Sequence, residues 1–173
     1  MFGYSKGVTA RGYTMNVFDC AIKIEEETKA YYEGLEAEAR EPEMKVLFSM
    51  LAASEEEHQN KLRRLRKRIS AAQLEDLNGS TCSFRPLLSQ RELLEEADRD
   101  PNLYRFAVGN EEQEIRFYEE LATRAHDERT RKSLLMLAEE ERRHMQKVAN
   151  IYSFVETPRT YLAWGEFSNL KEL

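Results

Sequence analysis

Two glutamate–histidine pairs in this 173-residue sequence have the residue types and the spacing of metal ligands. Glu55 precedes His58 by three residues in "ASEEEHQNKL", and Glu141 precedes His144 by the same interval in "AEEERRHMQKV". Residues three apart share one face of an α-helix, so each pair can present a carboxylate and an imidazole to one point. Mixed oxygen and imidazole ligands suit iron or manganese. One such pair is more often a surface feature of a charged helix, so the recurrence is what favours a metal site.

The two pairs belong to an internal duplication. A shift of 86 positions aligns residues 25–65 with residues 111–151 without a gap, and 12 of the 41 aligned positions are identical. The identities include two of the three histidines, which helical composition alone would not readily align. The sequence therefore predicts that one structural unit occurs twice.

Each unit has the pattern of two helices. Apolar residues recur at helical spacing, which indicates one buried face on each helix. In the first unit, Asn16 with Asp19 is suited to cap the start of the first helix, and Pro42 is suited to begin the second. Because the connection between them is short, the two helices should be antiparallel neighbours.

The segment between the two units is long enough to cross a helix bundle, since about 30 residues reach far at ~3.3 Å per extended residue. Within it, Ser89 and Glu92 form a capping box for a short helix through Ala97. We predict a single all-α domain, a ferritin-like four-helix bundle in which two antiparallel helix pairs are joined by a long crossover. Its predicted segments are a flexible arm (1–15), the first helix pair (16–69), the crossover (70–101), the second helix pair (102–155) and a C-terminal tail (156–173) that packs on the bundle or on a second subunit.

Two further glutamates lie on the apolar faces of the first helix of each unit. Glu25 and Glu111 stand in line with Tyr32 and Tyr118, seven residues further on. Counted from the turn between the helices, Glu25 and Glu55 are level within about 3 Å at a rise of ~1.5 Å per residue. The duplication implies the same of the second unit, so four carboxylates and two imidazoles should converge at one depth.

Buried carboxylates are unfavourable unless their charge is neutralised. Two divalent ions would balance four carboxylates, and no lysine or arginine shares these faces closely enough to do so. The predicted ligands of this two-metal site are Glu25, Glu55, His58, Glu111, Glu141 and His144. Their neighbours Glu26 and Glu112 should lie on the flank, and Glu56 and Glu57 should face solvent.

Composition excludes several other classes. The net charge of −6 gives no support to a nucleic-acid partner, and the basic run at residues 61–68 is expected at the solvated end of a helix. No apolar run approaches membrane-spanning length, and the N-terminus lacks a signal-peptide core, so a soluble cytoplasmic protein is expected. Cys20 and Cys82 form no Cys-x-x-Cys motif, and a disulfide between them is disfavoured in such a protein.

With these motifs the sequence resembles the rubrerythrin-like branch of the ferritin-like superfamily. The segments that carry the resemblance are "IEEETKAYYEGL", "ASEEEHQNKL", "NEEQEIRFYEEL" and "AEEERRHMQKV". The resemblance implies that the six ligands bind two iron ions, with manganese or zinc as other occupants and with neither haem nor flavin. It also implies that Tyr32 and Tyr118 hydrogen-bond to ligand carboxylates. Glu114, three residues after Glu111, matches an additional ligand that replaces a histidine on one iron when the centre is oxidised.

The resemblance implies a peroxidase active under oxidative stress, which would reduce hydrogen peroxide or O₂ at the di-iron site. Full rubrerythrins also carry a rubredoxin-type domain with paired Cys-x-x-Cys motifs, which this sequence lacks. Electrons would therefore come from a separate, rubredoxin-like donor, and a homodimer is expected. The alternatives are an iron-binding or ferroxidase protein without a peroxidase role, a non-catalytic helical interaction module, and a hydroxylase of an organic substrate.

Overall fold

The structure, a computed structural model, describes residues 13–70, 76–97 and 104–169, with side chains described up to residue 154. Most of the predicted flexible arm lies outside these ranges. The described helices are α1 (Val17–Glu38), α2 (Pro42–Arg68), α3 (Gln90–Ala97), α4 (Tyr104–Arg124) and α5 (Glu128–Asn169). Among the described residues, no helix combines the length and the apolar character needed to cross a lipid bilayer.

The helices pack as two pairs, α1 with α2 and α4 with α5, and α2 and α5 join the pairs. This arrangement confirms the all-α, ferritin-like four-helix bundle. The cap signals are confirmed as well: the Asn16 side chain accepts hydrogen bonds from the backbone N–H groups of Phe18 and Asp19, and α2 begins at Pro42. Ser89 and Glu92 bind each other's backbone N–H groups at the start of α3, as a capping box does.

Two apolar clusters fill the bundle on either side of the buried glutamates. One contains Tyr32, Leu35 and Phe48, and the other contains Phe18, Leu62 and Leu137. Each cluster takes side chains from both helix pairs. The polar centre is therefore enclosed along the bundle axis by packed apolar side chains, which exclude water from its two ends.

The crossover is fixed against one face of α1. Cys20 and Cys82 form a disulfide, and the Lys23 ammonium donates to the Cys82 carbonyl. One turn further on, the Glu27 carboxylate accepts a hydrogen bond of 2.7 Å from the backbone N–H of Phe84. The anchors on α1 are spaced three and four residues apart, so they lie on one face of the helix.

The disulfide corrects the sequence-based expectation that it is disfavoured. The two cysteines are 62 residues apart, and only the return of the crossover onto α1 brings their Cα atoms within 5.1 Å. A two-stranded antiparallel sheet at the same end, β1 (Thr14–Asn16) with β2 (Asp76–Asn78), was not predicted either. Three-residue strands are too short for a recognisable alternating pattern.

The last helix also differs from the predicted segments, because α5 continues beyond residue 155 to Asn169. Pro158 removes one backbone donor, which a helix can tolerate at the cost of a kink rather than an end. The packing expected for the tail concerns side chains outside the described ones, so it stays a prediction.

Candidate metal centre

Each of the four long helices contributes one buried glutamate to the middle of the bundle. Glu25 on α1, Glu55 on α2 and Glu111 on α4 are each 1% exposed, and Glu141 on α5 is 0% exposed. His58 and His144 lie one helical turn after the glutamates of α2 and α5, and both are buried. All six predicted ligands are therefore brought together at one depth of the bundle.

The duplication is visible in the contacts. His58 Nδ1 lies 2.9 Å from Glu25 Oε1 within the first helix pair, and His144 Nδ1 lies 2.9 Å from Glu111 Oε2 within the second. Each histidine also faces the glutamate of the opposite pair, at 3.7 Å from His58 Nδ1 to Glu141 Oε2 and 3.6 Å from His144 Nε2 to Glu55 Oε2. The two imidazole rings are 4.7 Å apart between centroids.

The ligand atoms form two adjacent groups that could each hold a metal ion. The first group consists of Glu25, His58, Glu141 and His144, and the second consists of Glu55, Glu111 and His144. Within each group, the candidate ligand atoms all lie within 4.8 Å of one another. His144 belongs to both groups, as expected when two sites are neighbours. This arrangement fits two ions side by side.

The fit of metal ions rests on the unsatisfied atoms at this centre. Both carboxylate oxygens of Glu141, both ring nitrogens of His58 and Nδ1 of His144 are buried without a hydrogen-bond partner. The 2.9 Å contacts lack hydrogen-bond geometry, so the paired atoms point past each other. Buried polar atoms normally have partners. Atoms that converge without bonding to one another are what a shared metal ion would satisfy, and their oxygen and nitrogen types suit iron or manganese.

The acidity of the carboxyl groups gives the same indication. Burial raises the pKa of Glu55, Glu114 and Glu141 well above the ordinary glutamate value, and neighbouring carboxylates raise it further. Burial also acts to raise the pKa of Glu25, but His58 and His144 outweigh it and leave that pKa below the ordinary value. Without cations, the burial of this many carboxyl groups together therefore disfavours their ionised form.

Glu114 lies beside this centre and in neither of the two groups. It is buried, and its Oε1 is 3.3 Å from the hydroxyl of Thr28. That hydroxyl is closer, at 2.9 Å, to the backbone carbonyl of Ile24, and its one hydrogen can be donated to either acceptor. Thr28 occupies the position in the first unit that Glu114 occupies in the second. The two equivalent positions thus contact each other, and only one of them carries a carboxylate.

Tyr32 and Tyr118 are buried next to the glutamates, but their predicted hydrogen bonds to ligand carboxylates are not formed. Both hydroxyl oxygens lack a hydrogen-bond partner. Burial raises the pKa of each tyrosine well above its ordinary value. The negative charge of Glu55 raises the pKa of Tyr32 further, and that of Glu141 raises the pKa of Tyr118. The hydroxyls therefore remain protonated and able to donate.

The flanking acids behave as predicted. Glu26 and Glu56 are exposed and form ion pairs with Arg63 and Lys29. Glu57 is exposed as well, and Glu112 is exposed next to Arg116. The basic run at residues 61–68 forms part of the end of α2, with three of its cations in the last helical turn.

Two polar residues of the centre were not identified from the sequence. Ser54 Oγ lies 3.1 Å from His144 Nε2, so it orients the imidazole. Asn110, one residue before Glu111, is buried and binds the crossover by accepting from the backbone N–H of Leu87. Both directly precede a predicted ligand in the sequence, and this is the only signal that could have indicated them.

Comparison with known proteins is consistent with this centre. The family model described as rubrerythrin matches residues 16–152, a range that contains all six ligands and Glu114. Among solved structures, a hypothetical protein from Pyrococcus furiosus is similar over 82% of this chain and 89% of its own, with 21% sequence identity and a TM-score of 0.49. No curated protein matches the sequence.

Proposed function

This chain belongs to the rubrerythrin family, and from that membership we propose that it is a non-haem di-iron oxidoreductase that reduces hydrogen peroxide, or O₂, to water. The observation that carries the proposal is the buried group of four glutamates and two histidines, in which every residue has at least one ligand atom without a hydrogen-bond partner. Two redox-active ions held side by side would supply the two electrons that cleavage of one O–O bond requires.

The residues of the chain have separate roles in this proposal. Glu25, Glu55, Glu111 and Glu141 balance the positive charge of two divalent ions, and His58 and His144 complete the two groups. Ser54 fixes the orientation of His144 through its 3.1 Å contact. Tyr32 and Tyr118 offer protonated hydroxyls to oxygen atoms inside a centre that otherwise contains mainly acceptors.

Glu114 is proposed as the ligand that responds to oxidation. A fifth carboxylate helps to balance the higher charge of two ferric ions, and its present contact with the Thr28 hydroxyl keeps it next to the centre. Glu114→Gln should therefore bind two ferrous ions as the wild type does and should slow the oxidative half-reaction. Unchanged oxidation would remove Glu114 from the mechanism.

Metal content tests the centre itself. After anaerobic reconstitution, the wild-type protein should bind about two iron ions per chain, and Glu55→Ala and Glu141→Ala should bind fewer. Glu56→Ala is the matched control, because Glu56 is the exposed neighbour of Glu55. Fewer than about one ion in the wild type would favour a non-catalytic helical module instead.

Stopped-flow mixing tests the reaction. The reduced, iron-loaded protein should be oxidised faster by hydrogen peroxide than by air-saturated buffer. Equal rates would reject the peroxidase activity and favour a ferroxidase role at the same centre. Size-exclusion chromatography separates a proposed homodimer from the hollow shell that iron storage requires.

The electron donor and the cellular location are part of the proposal. The chain has two cysteines, both in the Cys20–Cys82 disulfide, so a rubredoxin-like protein is proposed as the external donor. We place the protein in the cytoplasm, where its Cys20–Cys82 disulfide would be one of the uncommon ones. Fractionation of freshly lysed cells tests this point, since recovery of the protein outside the cytosolic fraction would reject the cytoplasmic location.

A further inference from the structure

A cavity of about 300 Å³ lies between α1, α4 and the crossover, and Glu114 forms part of its wall. Exposed residues such as Arg85 and Gln113 line it at the protein surface, whereas the buried Ile24 and Glu114 line its inner end. The cavity therefore leads from solvent to the edge of the candidate metal centre.

The wall of this cavity is fixed on both sides. The disulfide from Cys82 to Cys20 attaches the crossover to α1, and Thr81 and Ser83 on either side of Cys82 line the cavity. On the other side, the hydrogen bond of 3.0 Å from Leu87 to Asn110 attaches the crossover to α4. A space bounded by a covalent bond and a buried hydrogen bond is a formed part of the fold.

The size of the cavity exceeds what hydrogen peroxide needs. A water molecule occupies about 30 Å³ in the liquid, and an apolar cavity of about 150 Å³ can hold benzene. The side chains of Ile24, Phe84 and Phe117 give this cavity an apolar interior, with polar groups at the rim and at Glu114. Such a lining favours a ligand with an organic group and one polar end.

We propose that this cavity binds the organic group of an alkyl or aryl hydroperoxide and directs its O–O group toward Glu114. The inference rests on the proposed peroxide reduction and names the substrate class of the same site. In the reaction, ROOH takes up two electrons and two protons and gives ROH and H₂O. The O–O bond breaks, the external redox protein restores the two electrons, and the protons come from solvent through the rim.

Binding can be measured without iron. The probe is 2-phenyl-2-propanol, the alcohol formed from cumene hydroperoxide, titrated into the metal-free protein and followed by ligand-observed NMR. Gln113→Trp places a large side chain at the rim and should weaken binding at least about tenfold. Glu120→Trp, which adds the same side chain at an exposed position of α4 outside the cavity, should bind as the wild type does. The absence of saturable binding, or equal binding by Gln113→Trp, would overturn the proposal.

The reaction provides an independent readout on the reduced, iron-loaded protein. Gln113→Trp should lower the rate constant for cumene hydroperoxide at least about fivefold more than it lowers that for hydrogen peroxide, whereas Glu120→Trp, outside the cavity, should change neither. If hydrogen peroxide reacts rapidly and cumene hydroperoxide reacts no faster than air, the cavity inference fails and the proposed function stands. If neither peroxide is faster than air, both fail.

Product analysis tests the electron balance. Two-electron reduction of cumene hydroperoxide yields 2-phenyl-2-propanol, whereas one-electron cleavage yields acetophenone. The alcohol as main product supports the proposed step, and acetophenone as main product overturns it. Oxygenation of the bound alcohol by the reduced protein in air would overturn it as well, in favour of a hydroxylase.

Discussion

Replacement of Glu141 by methionine separates a metal ligand from an ordinary buried charge. Glu141 is 0% exposed, and neither of its carboxylate oxygens has a hydrogen-bond partner. Methionine has a similar unbranched length and no polar group to satisfy, so it can fill the same space. We therefore expect the metal-free Glu141→Met protein to be more stable than the metal-free wild type, although the substitution lies in the core.

The expected magnitude follows from the buried oxygens. An unsatisfied buried polar group costs about 1–3 kcal/mol, so its removal should raise the free energy of unfolding by that amount. For a chain of this size, each kcal/mol corresponds to a shift of about 2–4 °C in Tm, which gives a rise of roughly 2–12 °C. Burial and the neighbouring carboxylates raise the pKa of Glu141, so the unfolded chain releases this proton at a lower pH than the folded protein does. The metal-free wild type therefore loses stability as the pH rises, and the gain of the variant should be larger at neutral than at acidic pH.

Metal ions should reverse the order. A ligand present at 1,000 times its Kd stabilises the folded state by about 4.1 kcal/mol, which exceeds the expected advantage of the variant, and this gain requires an intact site. Thermal unfolding is therefore measured for both proteins with and without Mn²⁺, and only the wild type should gain substantially. The control is Glu139→Met, two residues earlier, where the exposed carboxylate is paired with Arg142 and Arg143. That change should lower the stability by about 0–1 kcal/mol.

A metal-free Glu141→Met protein that is less stable than the wild type would refute this reasoning. It would mean that the carboxyl group has a stabilising partner in the folded protein. Equal stabilisation of both proteins by Mn²⁺ would also refute it, because the bound ion would then not depend on Glu141.

Three further predictions concern the rest of the fold. The pKa values of Glu55, Glu114 and Glu141 are raised, so the metal-free protein should lose stability as the pH rises above the ordinary glutamate pKa. Mn²⁺ should reverse the trend because it binds ionised carboxylates. Thermal unfolding of the metal-free protein that does not depend on pH would contradict this. Loss of the Cys20–Cys82 disulfide, by reduction or in the double serine variant, should lower the free energy of unfolding in urea by about 3–5 kcal/mol, because the disulfide closes a long loop. Equal urea midpoints for the oxidised and the reduced wild type would refute that. Leu137→Ala should lower the free energy of unfolding by about 2–5 kcal/mol, because Leu137 is fully buried. Leu135→Ala should change it by less than about 0.5 kcal/mol, because Leu135 is exposed. Similar losses for both variants would contradict the assignment of Leu137 to the buried face of α5.

The convergence of the six candidate ligands could be predicted because it depends on local geometry. The spacing of Glu55 and His58 places both on one helix face wherever that helix lies. The number of residues between Glu25 and the turn then determines its height along the bundle axis. The duplication supplies the equivalent residues of the second helix pair. None of these steps needs contacts between segments that are distant in the sequence, apart from the antiparallel pairing that a short connection imposes.

The crossover could not be predicted in the same way. Its position depends on single contacts. Examples are the disulfide of Cys82 and the hydrogen bond that the backbone N–H of Phe84 donates to the Glu27 carboxylate. An irregular segment has no period from which a buried face can be read, so its residues gave no sign of their partners on α1. The cavity between α1, α4 and the crossover could not be predicted either, because the crossover forms one of its walls.

The differences between the two units follow from the crossover, which occurs once. Glu27 of the first unit binds the crossover, whereas its equivalent Gln113 in the second unit lies at the rim of the cavity. Thr28 carries no charge, whereas its equivalent Glu114 brings a carboxylate to the inner end of the same cavity. Duplication thus accounts for the six candidate ligands. Divergence around a single crossover accounts for a cavity that reaches them from one side of the bundle. Substitution of Gln113 should therefore alter which peroxide reacts, and substitution of Glu27 should alter how firmly the cavity wall is held.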